Sequence, residues 1–129
     1  MIKISVCDDD EGQLTFFKQC FMEYNEKHKE KIEANFYQSV QSLLNEKKFS
    51  PDVYFLDIEL QDGNGLKLAG KIRTRNSKIP IVFITSHEEF MPEAFHVHAY
   101  QYLNEKKNAQ AVEKIFNKIG VFFFLKKKK

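Results

Sequence analysis

The chain has 129 residues, which is enough for one compact domain with a buried core but too few for two ordinary domains. Hydrophobic residues make up 43% of the sequence and charged residues 29%, values typical of a globular protein that argue against disorder. The formal net charge is +2, but the last four residues are all lysine and the rest of the chain carries −2, which argues against a nucleic-acid-binding surface on the body of the domain.

The first half of the chain alternates between strand-like and helix-like segments. Residues 1–7 predict a short strand, and apolar residues recurring at spacings of three and four over 13–28 predict an amphipathic helix. Residues 32–37 alternate as a second strand, and Ser39 is expected to cap a short second helix. The uninterrupted apolar run 53–56 is typical of a central parallel strand that is buried on both faces.

The second half continues the alternation. The predicted elements are a third helix opened by Asn64 or Gly65 and ended by Asn76 and Ser77, a fourth strand over 81–84, a fourth helix within 88–98, a fifth strand over 99–103 and a last helix through 111–119. Pro92 suits the first turn of the fourth helix, and Gly120 is expected to fray the end of the last. This order predicts an α/β fold: a doubly wound, five-stranded parallel sheet of strand order 2-1-3-4-5, with helices on both faces.

No segment has the features of a membrane span or a secretory signal. No apolar run approaches the roughly 20 residues that cross a bilayer, and acidic residues follow the short N-terminal apolar stretch at once. Cys7 and Cys20 lack metal-ligand or redox spacing and indicate buried thiols in a reducing compartment. We therefore expect a cytoplasmic domain over residues 1–125 without a membrane partner, followed at 126–129 by a basic tail or the start of a linker.

Polar side chains follow three of the predicted strands at their carboxyl ends. Asp8 and Asp9 follow the first strand, Asp57 the third and Thr85 the fourth. The first and third strands are neighbours where the strand order reverses, so the three carboxylates should converge. Carboxylates this close repel one another unless a cation intervenes, and an open all-oxygen cluster with room for a phosphate favours Mg²⁺ over Ca²⁺.

A carboxylate, a hard cation and a hydroxyl at one sheet edge suit phosphoryl transfer. Asp57 is the candidate nucleophile because a carboxylate can accept a phosphoryl group as an acyl phosphate, and Thr85 offers a hydroxyl donor. Gly63 and Gly65 would let the backbone pass close to a metal and a phosphate. Taken one at a time, the acidic residues could complement a helix dipole or begin a turn, and Thr85 could cap a helix. Because all of these residues are expected to converge at one sheet edge, we interpret them as a functional site.

These residues, in this order and spacing, resemble the receiver domain of bacterial two-component response regulators. The resemblance covers essentially the whole chain and rests on the acidic pair Asp8-Asp9, "FLDIEL" with Asp57, "NG" at Asn64-Gly65 and "FITS" with Thr85. The stretch "EAFHVHAYQYL" over 93–103 and the "DIEL...NG" wording are more similar to LytTR-type regulators, whose receiver is followed by a DNA-binding domain. That domain is absent here, so we expect a stand-alone or truncated receiver that could reach DNA only through the absent domain.

The resemblance implies that Asp57 takes a phosphoryl group from the phosphohistidine of a histidine kinase. Mg²⁺ would be held by Asp9, Asp57 and the backbone carbonyl of Glu59, with Asp8 assisting. The domain would catalyse only its own phosphorylation and dephosphorylation, and would not be an enzyme acting on other substrates.

The resemblance also implies a switch. Thr85 would move toward the phosphate and Tyr102 would swing inward behind it. This motion would repack the face made by the fourth helix, fifth strand and fifth helix. That face would control an output, with transcription as the expected one, and is a candidate homodimer interface.

One position departs from the family pattern. A Lys-Pro pair normally follows the fifth strand, and the matching residues here are Glu105 and Lys106. A glutamate would repel a phosphorylated aspartate, whereas a one-residue shift would bring Lys106 to the site, so we predict that Lys106 replaces the family lysine. The family proline after the phosphoacceptor is also missing, with Gln61 in its place.

Two other functions are compatible with the sequence. A phosphatase of the haloacid dehalogenase type also uses an aspartate nucleophile with Mg²⁺, but wants an aspartate two positions on, where Glu59 stands here. A degenerate receiver would act as a phosphate-independent docking module and would fail to bind Mg²⁺. The apolar triplet 122–124 could pack into the core, contact a second copy or lie under an absent domain.

Overall fold

The structure is a computed structural model that describes residues 1–85, 88–103 and 108–127. Its main sheet has five strands, listed in chain order: β1 (Ile2–Cys7), β2 (Ile32–Tyr37), β3 (Val53–Asp57), β4 (Ile81–Ile84) and β5 (Gln101–Leu103). All neighbouring strands are parallel and their order across the sheet is β2-β1-β3-β4-β5. The predicted fold class and strand order are confirmed.

The described residues contain five α-helices, four between consecutive strands and one after β5. They are α1 (Glu11–Lys27), α2 (Val40–Asn45), α3 (Gly65–Arg75), α4 (Met91–His96), preceded by a 3₁₀ turn over Glu88–Phe90, and α5 (Ala109–Lys127). The Ser39 side chain caps α2 by accepting from the Ser42 N–H, as predicted. Helix α1 begins two residues earlier than expected because the Asp10 side chain caps it, accepting a hydrogen bond from the Gly12 N–H.

The sheet separates two hydrophobic core layers. On one face α1 and α5 cover the sheet, where Phe21 stacks on Phe116 at a centroid distance of 4.8 Å and Phe17 meets the edge of Phe55. On the other face the apolar side chains of α2, α3 and α4 pack against Leu56 and its neighbours. Because β3 is buried on both faces, its residues are apolar throughout until Asp57 ends it.

Helix α5 continues past the point where the sequence predicts fraying. It passes through Gly120 and extends to Lys127. A glycine inside a helix costs about 1 kcal/mol relative to alanine, but here it admits a close neighbour, since a Cβ at position 120 would lie 3.0 Å from the Tyr24 hydroxyl. Burial of Ile119 and the ring contact of Phe122 with Tyr100 at 5.8 Å support the helix on either side.

None of the helices in the described part of the chain combines the length and hydropathy needed to cross a bilayer.

Candidate metal centre

The carboxyl ends of β1 and β3 bring three carboxylates together, as predicted. Cys7 of β1 pairs with Leu56 of β3, so the residues that follow each of them, Asp8 and Asp57, leave the sheet side by side. One oxygen from each of Asp8, Asp9 and Asp57 lies within 4.8 Å of the other two. Asp8 is fully buried and Asp57 is 1% exposed, whereas Asp9 is partly exposed.

Backbone N–H groups orient these carboxylates. Asp8 Oδ1 accepts from the Asp10 N–H at 2.9 Å, and Asp57 Oδ1 accepts from the Glu59 N–H at 3.3 Å. Asp9 Oδ2 accepts from the Gln61 N–H at 2.8 Å, a contact between residues 52 positions apart. All the candidate ligand atoms of the cluster are therefore carboxylate oxygens that lie close together and carry negative charge. Such a set of ligands fits a small hard cation such as Mg²⁺.

The neighbouring thiol of Cys7 does not extend this donor set. Burial, reinforced by the carboxylates of Asp62, Asp8, Asp57 and Asp9, raises the pKa of the Cys7 thiol to about 12. The thiol donates to the Ser39 carbonyl at 3.5 Å. A thiol that stays protonated at neutral pH is neither a good ligand nor a nucleophile, which agrees with the expected buried, inert cysteine.

The segment after Asp57, where the sequence predicted only a close backbone approach at Gly63 and Gly65, forms a small antiparallel hairpin. Glu59 pairs with Asn64 and Leu60 with Gly63, and the backbone carbonyl of Glu59 that the resemblance assigns to the metal lies within this hairpin. The Asp-Gly pair at 62–63 signals a hairpin in this region, but the turn that forms is Gln61-Asp62, one residue earlier, and Gly63 pairs with Leu60.

Asp62 at the hairpin tip is a residue that the sequence analysis missed. Its carboxylate accepts hydrogen bonds from the first N–H groups of α2, those of Val40 at 2.9 Å and Gln41 at 3.1 Å. These two bonds lower the pKa of the Asp62 carboxyl group below its usual value. Through Gln61 the same hairpin contacts Asp9, so the hairpin links α2 to the carboxylate cluster.

The Asn64-Gly65 pair closes the hairpin onto α3. The Asn64 side chain caps α3 by accepting from the Leu66 N–H at 2.7 Å, and the Gly65 N–H donates to the Ile58 carbonyl at 2.8 Å. A Cβ on Gly65 would lie 2.1 Å from the carbonyl oxygen of Asp57. The glycine therefore permits a close backbone approach, and the group it approaches is the backbone of Asp57 itself.

The proposed switch residues lie on the next two strands. Thr85 follows β4, is 1% exposed and donates its backbone N–H to the Leu103 carbonyl at 3.0 Å. Its predecessor Ile84 pairs with Asp57, so Thr85 lies just beyond the carboxylate at the same sheet edge. Tyr102 on β5 is half-buried and lines a cavity of about 240 Å³ against α4. Glu105 and Lys106 lie outside the described residues.

The family model described as a response regulator receiver domain matches residues 4–119. An uncharacterised response regulatory protein of Yersinia pestis is 29% identical over 120 residues, which cover 93% of this chain and 49% of that protein. The sensory transduction protein LytR of Staphylococcus saprophyticus is 40% identical over 73 residues, covering 54% of this chain and 29% of that protein. The likeness to LytR agrees with the predicted resemblance, and the chain spans half or less of these relatives' length.

Solved receiver structures share the fold. A CheY-like response regulator receiver domain protein from Methanospirillum hungatei has a TM-score of 0.78 at 20% identity, covering 93% of this chain and 94% of that one. The response regulator TrrA from Thermotoga maritima, solved in complex with Mg²⁺-BeF, has a TM-score of 0.76 at 22% identity, covering 92% and 98%.

Proposed function

This chain belongs to the response regulator receiver family of two-component signalling systems, and on that premise we propose that Asp57 is its phosphoacceptor. The observation that carries the proposal is the buried cluster of Asp8, Asp9 and Asp57 at the carboxyl ends of neighbouring strands. Such a cluster is unfavourable without a cation, so its presence beside Asp57 supports a Mg²⁺ site at this position.

The proposed reaction is transfer of a phosphoryl group from the phosphohistidine of a histidine kinase. An oxygen of Asp57 forms a bond to phosphorus as the nitrogen–phosphorus bond breaks, leaving an acyl phosphate on Asp57 and an imidazole that takes up a proton. Asp9, Asp57 and the Glu59 carbonyl would hold Mg²⁺, with Asp8 assisting. When bound, the ion supplies positive charge that offsets the carboxylates and the phosphoryl oxygens.

The proposed response is a rearrangement on β4 and β5. The Thr85 hydroxyl and the Lys106 ammonium would both contact the phosphoryl oxygens, and Lys106 takes this role because Glu105 would repel the phosphate. Tyr102 would then move into the space that Thr85 vacates. Its half-buried position beside a cavity against α4 supports such a motion, which would alter the α4-β5-α5 face used for output or for a homodimer.

Intact-mass measurement with Mg²⁺ and a small acyl phosphate donor tests the assignment. The unmodified chain should gain one phosphoryl group, and Asp57→Asn should gain none, because the amide is a poor nucleophile. Asp52→Asn is the matched control; its carboxylate accepts from the Lys3 N–H and lies outside the cluster, so uptake should continue. Uptake by Asp57→Asn would show that the nucleophile is misassigned.

The same assay separates the alternatives. A phosphatase of the haloacid dehalogenase type would need the Glu59 side chain as general acid, whereas the proposed receiver uses only the Glu59 backbone carbonyl. In a receiver, Glu59→Gln keeps that carbonyl and should leave phosphoryl uptake unchanged. Sustained hydrolysis of a phosphomonoester that Glu59→Gln abolishes would favour the phosphatase. Failure to bind Mg²⁺ or a beryllofluoride mimic would favour the docking module.

A further inference from the structure

The C-terminal end of α5 exposes apolar side chains that the phosphorylation site does not need. Val121, Phe124 and Leu125 are 58%, 57% and 56% exposed. Their spacing of three and four residues places them on one face of the helix, and we call this set the α5 tip. Helix α5 starts beyond the sheet edge that holds the carboxylates and runs for 19 residues, about 28 Å, so the tip is remote from that site.

Lysines flank the α5 tip on both sides. Lys114 and Lys118 are exposed at the same helical spacing before Val121, and Lys126 follows Leu125, with its Nζ over the Phe122 ring at 5.4 Å from the centroid. Three further lysines follow at 127–129. The single acidic residue of α5, Glu113, lies instead in the groove toward α1.

The adjoining surface adds another positive charge. Lys29 lines a groove of about 450 Å³ between the end of α1 and Phe123 and Phe124 of α5. Glu30 lines the same groove, but its carboxylate accepts from the N-terminal amine at 2.5 Å. The apolar tip therefore lies in a cationic surrounding.

The positive charges around the α5 tip distinguish between two binding partners, a second copy of the chain and a lipid bilayer. A second copy docked symmetrically would bring the lysines that flank one tip against those of the other, which is repulsive. An anionic bilayer fits both the apolar side chains and the lysines of this surface. Phenylalanine and leucine side chains insert at the boundary between headgroups and acyl chains, and lysines contact the headgroup phosphates. We propose that the α5 tip binds the surface of a membrane rich in anionic lipid. Such a surface contact needs neither a spanning helix nor a signal segment, so it differs from the predicted absence of a membrane partner, which rests on those two features.

Co-sedimentation of the full 129-residue chain with lipid vesicles tests this proposal. Binding should be strong to vesicles of equal parts phosphatidylglycerol and phosphatidylcholine and weak to phosphatidylcholine alone. It should fall as salt rises from 0.1 to 1 M, where the screening length drops from about 10 Å to about 3 Å. Absence of binding to the anionic vesicles would overturn the proposal.

Matched variants assign the binding to the tip. Lys118→Gln with Lys126→Gln should weaken binding by about tenfold to thirtyfold, since each lysine near an anionic surface contributes roughly a fivefold factor. Lys67→Gln with Lys71→Gln on α3, on the other face of the sheet, should leave it unchanged. Phe124→Ser with Leu125→Ser should weaken binding by about tenfold or more, whereas Met22→Ser, which alters an equally exposed methionine of α1, should not.

Two outcomes would count against the tip specifically. Equal losses in the α3 control and the tip variant would show nonspecific charge attraction. Dimer formation in solution that Phe124→Ser abolishes, without vesicle binding, would assign the surface to a second copy. The inference is independent of phosphoryl transfer: Asp57→Asn should bind vesicles as the unmodified chain does, so the two proposals can fail separately.

Discussion

Gly65 is a position beside the carboxylate cluster where a side chain does not fit. A Cβ there would lie 2.1 Å from the Asp57 carbonyl oxygen, and the next nearest atoms, the Asp57 carbonyl carbon and Ile58 Cα, are also backbone and cannot rotate away. We expect Gly65→Ala to lower the free energy of unfolding by about 3 kcal/mol and to reduce phosphoryl uptake, because Asp57 must shift.

Gly70 in the same helix is the matched control for this prediction. Nothing lies within 4 Å of the position of its Cβ, so Gly70→Ala should stabilise the fold by about 0.5–1 kcal/mol. Urea unfolding of both variants measures the two effects. A Gly65→Ala variant that unfolds at the same urea concentration as the unmodified chain would contradict the packing argument.

The Cys7 thiol should make the free energy of unfolding depend on pH under alkaline conditions. Its thiol pKa is raised from 9.0 to about 12 by burial and by the nearby carboxylates. The folded chain then keeps a proton that the unfolded chain loses, so the thiol's contribution is fully present below about pH 9 and is lost as pH rises toward 12.

The free-energy penalty of Cys7→Ala should therefore shrink as pH rises. The expected slope is up to about 1.4 kcal/mol per pH unit above pH 9. Denaturant unfolding of both proteins between pH 8 and about pH 10.5 tests it. A penalty that stays constant over this range would mean that the thiol titrates normally in the folded chain.

At the scale of elements, the hairpin after Asp57 is the connection between α2 and the carboxylate cluster. Asp62 holds the hairpin tip on the first N–H groups of α2, and the Gln61 N–H beside it orients Asp9. The lowered pKa of Asp62 means that this contact is present at neutral pH and is lost only as pH falls through the lowered value.

Asp62→Ala should release the hairpin and weaken Mg²⁺ binding by up to about tenfold at neutral pH, because a partner that orients a ligand carboxylate becomes mobile. Calorimetric titration with Mg²⁺ measures the effect. Asp52→Ala removes a similar carboxylate-to-backbone contact, to Lys3 at 2.9 Å, and should leave Mg²⁺ affinity unchanged. Equal affinity in both variants would show that the hairpin does not position Asp9.

At the scale of the whole molecule, the carboxylate cluster opposes folding until a cation binds. Without Mg²⁺, Asp57→Asn should unfold at a higher urea concentration than the unmodified chain. Its free energy of unfolding should be higher by about 1 kcal/mol or more, because one of three repelling charges is removed. With Mg²⁺ at about 100 times its dissociation constant, the unmodified chain should gain about 2.7 kcal/mol and the variant less. An equal Mg²⁺ effect on both proteins would place the ion elsewhere.

The architecture explains why the site lies where it does. The carboxyl ends of parallel strands meet at one sheet edge, and β1 and β3 are neighbours because the chain order reverses between them. Both core layers pack against the strands that form this edge, with phenylalanines of α1 and α5 on one face and the aliphatic side chains of α2, α3 and α4 on the other. The cluster is thus a property of topology and packing together.

The alternation of strands and helices, the strand order and the meeting of Asp8, Asp9 and Asp57 could all be predicted from the amino-acid sequence. Those features follow from short-range periodicity, from uninterrupted apolar runs and from a general rule of parallel sheets. The folded structure was needed to show that Asp62 caps α2, that Gly65 lies against the Asp57 carbonyl and that α5 passes through Gly120. Asp62 and Gly120 contact residues far away in the chain, and the Gly65 contact depends on how the hairpin after Asp57 folds back, so no local pattern encodes these energies.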